Sequence, residues 1–353
     1  MNSPEKEFLM KSEWVSPSNI ALVKYWGKHG NQLPSNASLS MTLKNSVTRT
    51  IVRVLDSKIQ AKTQFFFEGR PAPDFESKIE SFLSRIIPFF PALKNHSLVI
   101  ESWNTFPHSA GIASSASAMS ALALCFSSVS GETEQGGADA SSGDFYRRAS
   151  EIARLGSGSA SRSVYGGFSV WGKTSFVAGS SDEWAVPLDF TVNPVFSEMQ
   201  DSVLIVSSAK KKISSTAGHH LMNAHPYAEQ RYRLAEKNMG LILNALKTGN
   251  VADFVRVTEN EALGLHSLMM SSDPGFMLLE PGTLQIINKI RDYREKSGAF
   301  ICFTIDAGPN VHLLYPASEK KNIKDFITRE LMEYCEEGRV LWDEMGNGPI
   351  QIA

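Results

Sequence analysis

Two hydrophobic rhythms alternate along this chain. Short runs rich in β-branched and aromatic residues predict strands over residues 47–55, 97–101, 163–171, 202–208, 299–304 and 311–315. Apolar residues recurring at three- and four-residue spacing predict helices over 75–90, 115–126, 144–155, 226–247, 251–269, 282–296 and 318–337. Together they predict an α+β fold. The polar, Gly/Ser-rich stretch 127–143 reads as an exposed loop between two helices of one domain, and no repeat of fixed period is present. At 353 residues, two domains sharing a cleft are expected. Turn residues over 179–193 supply the boundary, dividing 1–190 from 191–353.

With 42% hydrophobic and 20% charged residues, the chain can fill a sizeable core and is not expected to be disordered. A net charge of −2 gives no bulk electrostatic pointer to nucleic acid or to an anionic membrane surface. Cys125, Cys302 and Cys335 are odd in number and far apart, so they read as buried thiols in a reducing compartment. No apolar run is long enough for a signal peptide or a membrane span, and a cytoplasmic location is expected.

One motif is set aside. Gly167, Gly172, Lys173 and Thr174 formally satisfy the Walker A spacing. A phosphate loop of that kind needs small residues inside and a helix behind, whereas Phe168 to Trp171 alternate like a strand and 175–182 is not helical in pattern.

Four other segments carry chemistry. Residues 107–116, from Pro107 through Gly111, Ala113, Ser114 and Ser115 to Ala116, run into an alanine-rich helix. Small residues let backbone N–H groups approach an anion at a helix N-terminus, and the serine hydroxyls can add hydrogen bonds or a metal ligand; ordinary N-capping is the plainer account. Residues 156–163 form a second small-residue loop, with Ser157, Gly158, Ser159 and the guanidinium of Arg162, suited to a carboxylate or diphosphate or else a simple turn. Residues 19–28 carry Asn19, Lys24, Tyr25 and Lys28 at the end of an apolar run. A lysine buried there needs an anionic partner, unless this is an edge strand with lysines reaching water. Residues 303–310 place Asp306 at the end of an apolar strand before a chain reversal, as a base held at a cleft or as a turn-stabilising aspartate.

In this order the four segments resemble the GHMP small-molecule kinase superfamily and, within it, the diphosphomevalonate decarboxylase family. Residues 107–116 fit the superfamily's PxxxGLxSSA loop with Ile112 for leucine, and 19–28, 156–163 with 165–168, and 306–310 look like the decarboxylase signatures. Ser161 stands where cysteine is common, and His108 and Ser109 where threonine and alanine are. The resemblance implies an N-terminal domain like ribosomal protein S5 domain 2, a ferredoxin-like C-terminal domain and a homodimer. It also implies ATP and Mg²⁺, and conversion of mevalonate 5-diphosphate to isopentenyl diphosphate. Asp306 would accept the 3-hydroxyl proton, Lys24 would polarise that hydroxyl, and Arg162 would bind the substrate carboxylate. Asn19, Tyr25, Lys28, Ser157, Gly158 and Ser159 would surround the substrate. Pro107, Gly111, Ala113, Ser114, Ser115 and one of Lys210, Lys211 and Lys212, taken as Lys212, would hold the ATP phosphates, with Ser115 the metal ligand. The alternatives are a monophosphate decarboxylase or kinase of the same branch, and a ligand-binding relative without catalysis.

Overall fold

The computed structural model describes residues 8–56, 63–107, 112–133, 142–209 and 215–353. Its first half is built on the strand Phe8–Val23, which pairs antiparallel with Ser38–Leu55 in the register Trp14↔Thr50. The pairing is irregular between Pro17 and Asn19, where the strand accommodates a proline that cannot donate to a ladder. Ser97–Asn104 extends the sheet antiparallel, Thr63–Phe67 joins it in parallel, and Phe168–Trp171 pairs with the other end of Ser38–Leu55. Alternation follows from the period of two: Val52, Val54, Leu98 and Ile100 all face inward. They pack against the helices Pro73–Ile86, Ser114–Thr133 and Gly143–Gly156 through Phe82, Phe126, Phe145 and Ile152.

The second half carries a four-stranded antiparallel sheet in the order Cys302–Ile305, Val311–Pro316, Met199–Leu204, Val340–Glu344. Helices Ala228–Thr248, Val251–Met270 and Pro281–Ser297 pack with it. One core joins the halves: Leu22, Met41 and Val170 cluster with Val203, Met239 and Phe254. That shared core brings the end of the first strand beside the end of Cys302–Ile305. The last strand, Ile350–Gln351, returns to pair with Trp14 and Val15.

The helices expected over 144–155, 226–247, 251–269 and 282–296 begin and end within two residues of those positions, the one expected over 75–90 ends at Ile86 and passes into 3-10 turns, and all three cysteines are free and buried. Several expectations need correction. The first strand is anticipated only in the alternative reading of 19–28 as an edge strand, and it ends at Val23 between two neighbouring strands with Lys24 buried. The helix expected to stop at Phe126 continues to Thr133, with Val129 buried, so much of the expected 127–143 loop is helix; 134–141 lie outside the described residues. The stretch 163–171 is a strand only from Phe168, because Gly158–Val164 winds into a compact 3-10 helix that buries Arg162. Residues 318–337 are not one helix: Lys320–Phe326 passes into the wider π turn Ile327–Leu331 and then into 3-10 turns, which keeps Ile323, Phe326, Ile327 and Leu331 all in the core. The rejected Walker segment is a fully buried strand over Phe168–Trp171.

Candidate active site

Lys24 follows the first strand directly, and Asp306 follows Cys302–Ile305. Their side chains meet with Lys24 Nζ 2.6 Å from Asp306 Oδ1. Burial pulls the Lys24 pKa down, and the Asp306 carboxylate opposes that pull by its charge and its hydrogen bond. The turn is fixed from two sides, since the Asp306 carbonyl accepts from the Gly308 N–H at 2.7 Å and lies 3.0 Å from His266 Nε2.

Lys24 is held by its backbone as well. Its N–H donates to Glu261 Oε2 at 2.8 Å, and its carbonyl accepts from Arg231 at 2.7 Å and from Asn36 Nδ2 at 3.0 Å. Arg231 grips both Glu261 oxygens, at 2.7 and 2.6 Å, and Asn238 donates to Oε1 at 2.7 Å. Glu261 is 1% exposed, so this carboxylate is tenable only because every neighbour is a donor.

Arg162 is 1% exposed and donates to Ser40 Oγ at 2.9 Å, to Ser38 Oγ at 2.5 Å and, at 3.4 Å, to Asn19 Oδ1. Burial brings its pKa down to about 10, which leaves it charged at neutral pH, and its partners are neutral oxygens. Its guanidinium carbon lies 6.0 Å from the centre of Tyr25 and 5.9 Å from that of Trp171. Asn19 Nδ2 ties this group to the loop, donating to the Ser159 carbonyl at 3.1 Å and Ser163 Oγ at 2.7 Å. Burial pushes the Tyr25 phenol up to about 12, so it remains a donor. A Cβ on Gly158 would lie 2.6 Å from Trp171 and 2.7 Å from the Tyr25 hydroxyl, so only glycine fits under those rings.

The two small-residue loops touch. Ser115 Oγ lies 3.2 Å from Ser157 Oγ, which lies 3.4 Å from Ser159 Oγ. Behind Ser115 stands the 20-residue helix Ser114–Thr133, and Ala113 just before it has φ +39°, opening the turn at the helix N-terminus. Ser114 is half-buried, and Ser115 and Pro107 are exposed. This donor set fits the phosphates of a nucleotide. Among the described residues no cluster of three His, Cys, Asp or Glu could hold a metal, and the Ser115 hydroxyl is an oxygen donor of the kind a hard cation on phosphates takes. Gly111, His108, Lys210, Lys211 and Lys212 lie outside the described residues.

The structure thus gathers Lys24, Asp306, Arg162 and Tyr25 into one electrostatic neighbourhood. It links Asn19, Ser159, Ser157 and Ser115 by contact. Lys28 stands at the margin, its ammonium 2.9 Å from Gln32 Oε1 and its pKa lowered by burial and by Arg85. Sequence reasoning passed over Glu261, Arg231 and His219. The first two have a signal, an acid and an arginine among the apolar positions of long helices, but their partner Lys24 is more than 200 residues away.

An α+β chain that carries both a serine-headed helix N-terminus and a lysine–aspartate pair has the architecture of a GHMP small-molecule kinase. Residues 16–182 match the family model of the diphosphomevalonate decarboxylase-like N-terminal domain, and 202–345 that of the mevalonate 5-diphosphate decarboxylase C-terminal domain. The diphosphomevalonate decarboxylase of Aspergillus fumigatus is 30% identical over 85% of this chain and 76% of its own. The solved mevalonate diphosphate decarboxylase from Staphylococcus aureus is 29% identical, covers 97% of this chain and 98% of its own, and superposes with a TM-score of 0.83. A solved complex of MDDEF with MVAPP, AMPPCP and magnesium is 28% identical, covers 97% of this chain and 99% of its own, and gives 0.82. The chain belongs to the diphosphomevalonate decarboxylase family.

Proposed function

We propose that this enzyme decarboxylates mevalonate 5-diphosphate at the expense of ATP, giving isopentenyl diphosphate, ADP, phosphate and carbon dioxide. The observation that carries the reading is the Lys24–Asp306 pair, a rigidly held carboxylate beside a buried cation at the junction of the two sheets. Hydroxide leaves carbon poorly and phosphate leaves well. The substrate's 3-hydroxyl oxygen therefore takes the γ-phosphoryl group of ATP while its proton passes to Asp306. The C–O bond to phosphate then breaks, the neighbouring C–C bond releases carbon dioxide, and its electron pair becomes the alkene.

Each residue has one task in this scheme. Lys24 holds the hydroxyl and Asp306 in line, and its charge favours the developing alkoxide. Arg162, locked among Ser38, Ser40 and Asn19, receives the substrate carboxylate by its remaining N–H groups. Tyr25, Lys28, Ser157, Gly158 and Ser159 line the diphosphate. Pro107, Gly111, Ala113, Ser114, Ser115 and Lys212 take the ATP phosphates. The Ser115 hydroxyl would be the protein ligand of a bound magnesium ion, which would supply neutralisation of charge on those phosphates.

The division into 1–190 and 191–353 belongs to this reading and is supported by two family models that leave only 183–201 between them. So do a homodimer, which light scattering of the purified chain tests, and a cytoplasmic location. Within the described residues no helix is long and apolar enough to cross a membrane. Parallel measurement of ADP and carbon dioxide released from the diphosphate tests the reaction itself.

A further inference from the structure

His219 has no part in the scheme above. It lies on the short helix Ser215–Leu221 and is 5% exposed. Its ring stacks on Tyr25 with centroids 4.5 Å apart and planes at 28°, and Trp26 lies 4.5 Å away at 37°. The Gly27 N–H donates to Nδ1 at 3.0 Å, from a residue at φ +102° that only glycine adopts freely. A neutral ring whose Nδ1 accepts carries its hydrogen on Nε2. These contacts therefore set both the plane of the ring and the nitrogen that donates. Among the described residues, Nε2 has no hydrogen-bond partner.

The surroundings indicate what that donor meets. Lys28 is half-buried and feels the like charge of Arg85. Among the described residues neither cation pairs with a carboxylate: Lys28 bonds the Gln32 side-chain oxygen and Arg85 the Leu155 carbonyl. The Tyr25 ring that His219 covers reaches with its hydroxyl over Gly158, so the stack continues the wall formed by the 156–163 loop. An oligoanion would satisfy two uncompensated cations and an unused N–H together, which a neutral ligand would not.

We propose that His219 is a specificity-determining residue that donates its Nε2–H to the diphosphate end of the substrate. This rests on the substrate assigned above. The donor is a neutral group amid cations, and it reads the position of a phosphate oxygen more than the ligand's total charge.

Two variants of the full-length protein separate donation from packing. His219→Asn keeps an acceptor near the Nδ1 position and removes the Nε2 donor, whereas His219→Gln places an amide near the Nε2 position. Steady-state rates are measured with Mg-ATP and either mevalonate 5-diphosphate or mevalonate 5-phosphate. His219→Asn is expected to raise KM for the diphosphate about tenfold or more, with a smaller effect on kcat and none on KM for ATP. It should also narrow the preference for diphosphate over monophosphate, and His219→Gln should recover most of the loss. An unchanged KM in His219→Asn overturns the inference. Equal rises in both variants, for substrate and ATP alike, overturn it too by assigning the ring to packing. A wild-type protein inert toward the diphosphate overturns the substrate assignment and the inference with it, whereas wild-type turnover with an indifferent His219→Asn overturns the inference alone.

Discussion

Lys24 Nζ and Asp306 Oδ1 meet at 2.6 Å as unequal partners, the lysine 2% exposed and the carboxylate 28%. Burial works against the lysine's charge while the aspartate's charge and hydrogen bond work for it, and the aspartate is the more accessible of the two. On the proposed role, replacement of Asp306 is expected to change both chemistry and stability through the same contact.

Asp306→Asn is expected to lower turnover about a thousandfold or more while leaving nucleotide affinity within about twofold. Calorimetric titration with a non-hydrolysable ATP analogue, alongside initial rates, checks this. The variant should also be destabilised, because it strands a buried ammonium. Adding Lys24→Met should recover part of that loss in urea unfolding, since the paired removal leaves no orphaned charge. Normal turnover in Asp306→Asn would remove it as the base.

Glu261 touches no proposed ligand, yet it fixes the Lys24 N–H, both Arg231 contacts and Asn238. Glu261→Gln is expected to cost about 3 kcal/mol in urea unfolding, the scale for breaking a buried ion pair from one side. Its kcat should fall more than its KM for ATP rises, because the lysine backbone loses its anchor. A variant as stable as the wild type would show that the cluster is not holding the strand end.

Gly158→Ala tests the close approach under Tyr25 and Trp171, where an added Cβ would come within 2.7 Å of both. One ring must move, and the expected result is a KM for the diphosphate raised about tenfold with little change in melting temperature. The same substitution at Gly69, where nothing lies within 4 Å but φ is +77°, should alter stability and leave KM unchanged.

The pH dependence of stability has a contribution from His219. Burial, with Lys28 and His220 adding to it, pushes its pKa from 6.5 down to about 3 in the folded protein. The unfolded chain takes up this proton below pH 6.5 and the folded chain does not until about pH 3, so acid favours unfolding across that window. The slope is about 1.4 kcal/mol per pH unit at most for one proton. His219→Phe should therefore flatten melting temperature against pH between about 6 and 4, relative to wild type. Identical profiles would mean that the buried, neutral imidazole is not the titrating group.

The candidate site residues are easier to pick out in the sequence than the packing that supports them. Asn19, Lys24, Arg162 and Asp306 stood out because each polar group interrupts an apolar or small-residue run, and a local anomaly is visible without a partner. The first strand was hidden because Pro17 and the polar residues between Lys11 and Asn19 obscure its alternation, and many of those polar side chains are buried in the interior. Arg162 looked like a charge on a flexible loop, whereas Gly158–Val164 winds tightly enough to bury it. Glu261 and His219 owe their roles to residues far along the chain or across a stack, and no spacing rule encodes those contacts. The C-terminal strand pairing with Trp14 is likewise a long-range closure that its short sequence does not announce.

The most direct test of the account is incubation of the purified protein with Mg-ATP and either mevalonate 5-diphosphate or mevalonate 5-phosphate, following ADP and carbon dioxide together. The account predicts equal amounts of ADP and carbon dioxide from the diphosphate and little of either from the monophosphate. ADP without carbon dioxide, a preference for the monophosphate, or no turnover of either would contradict it.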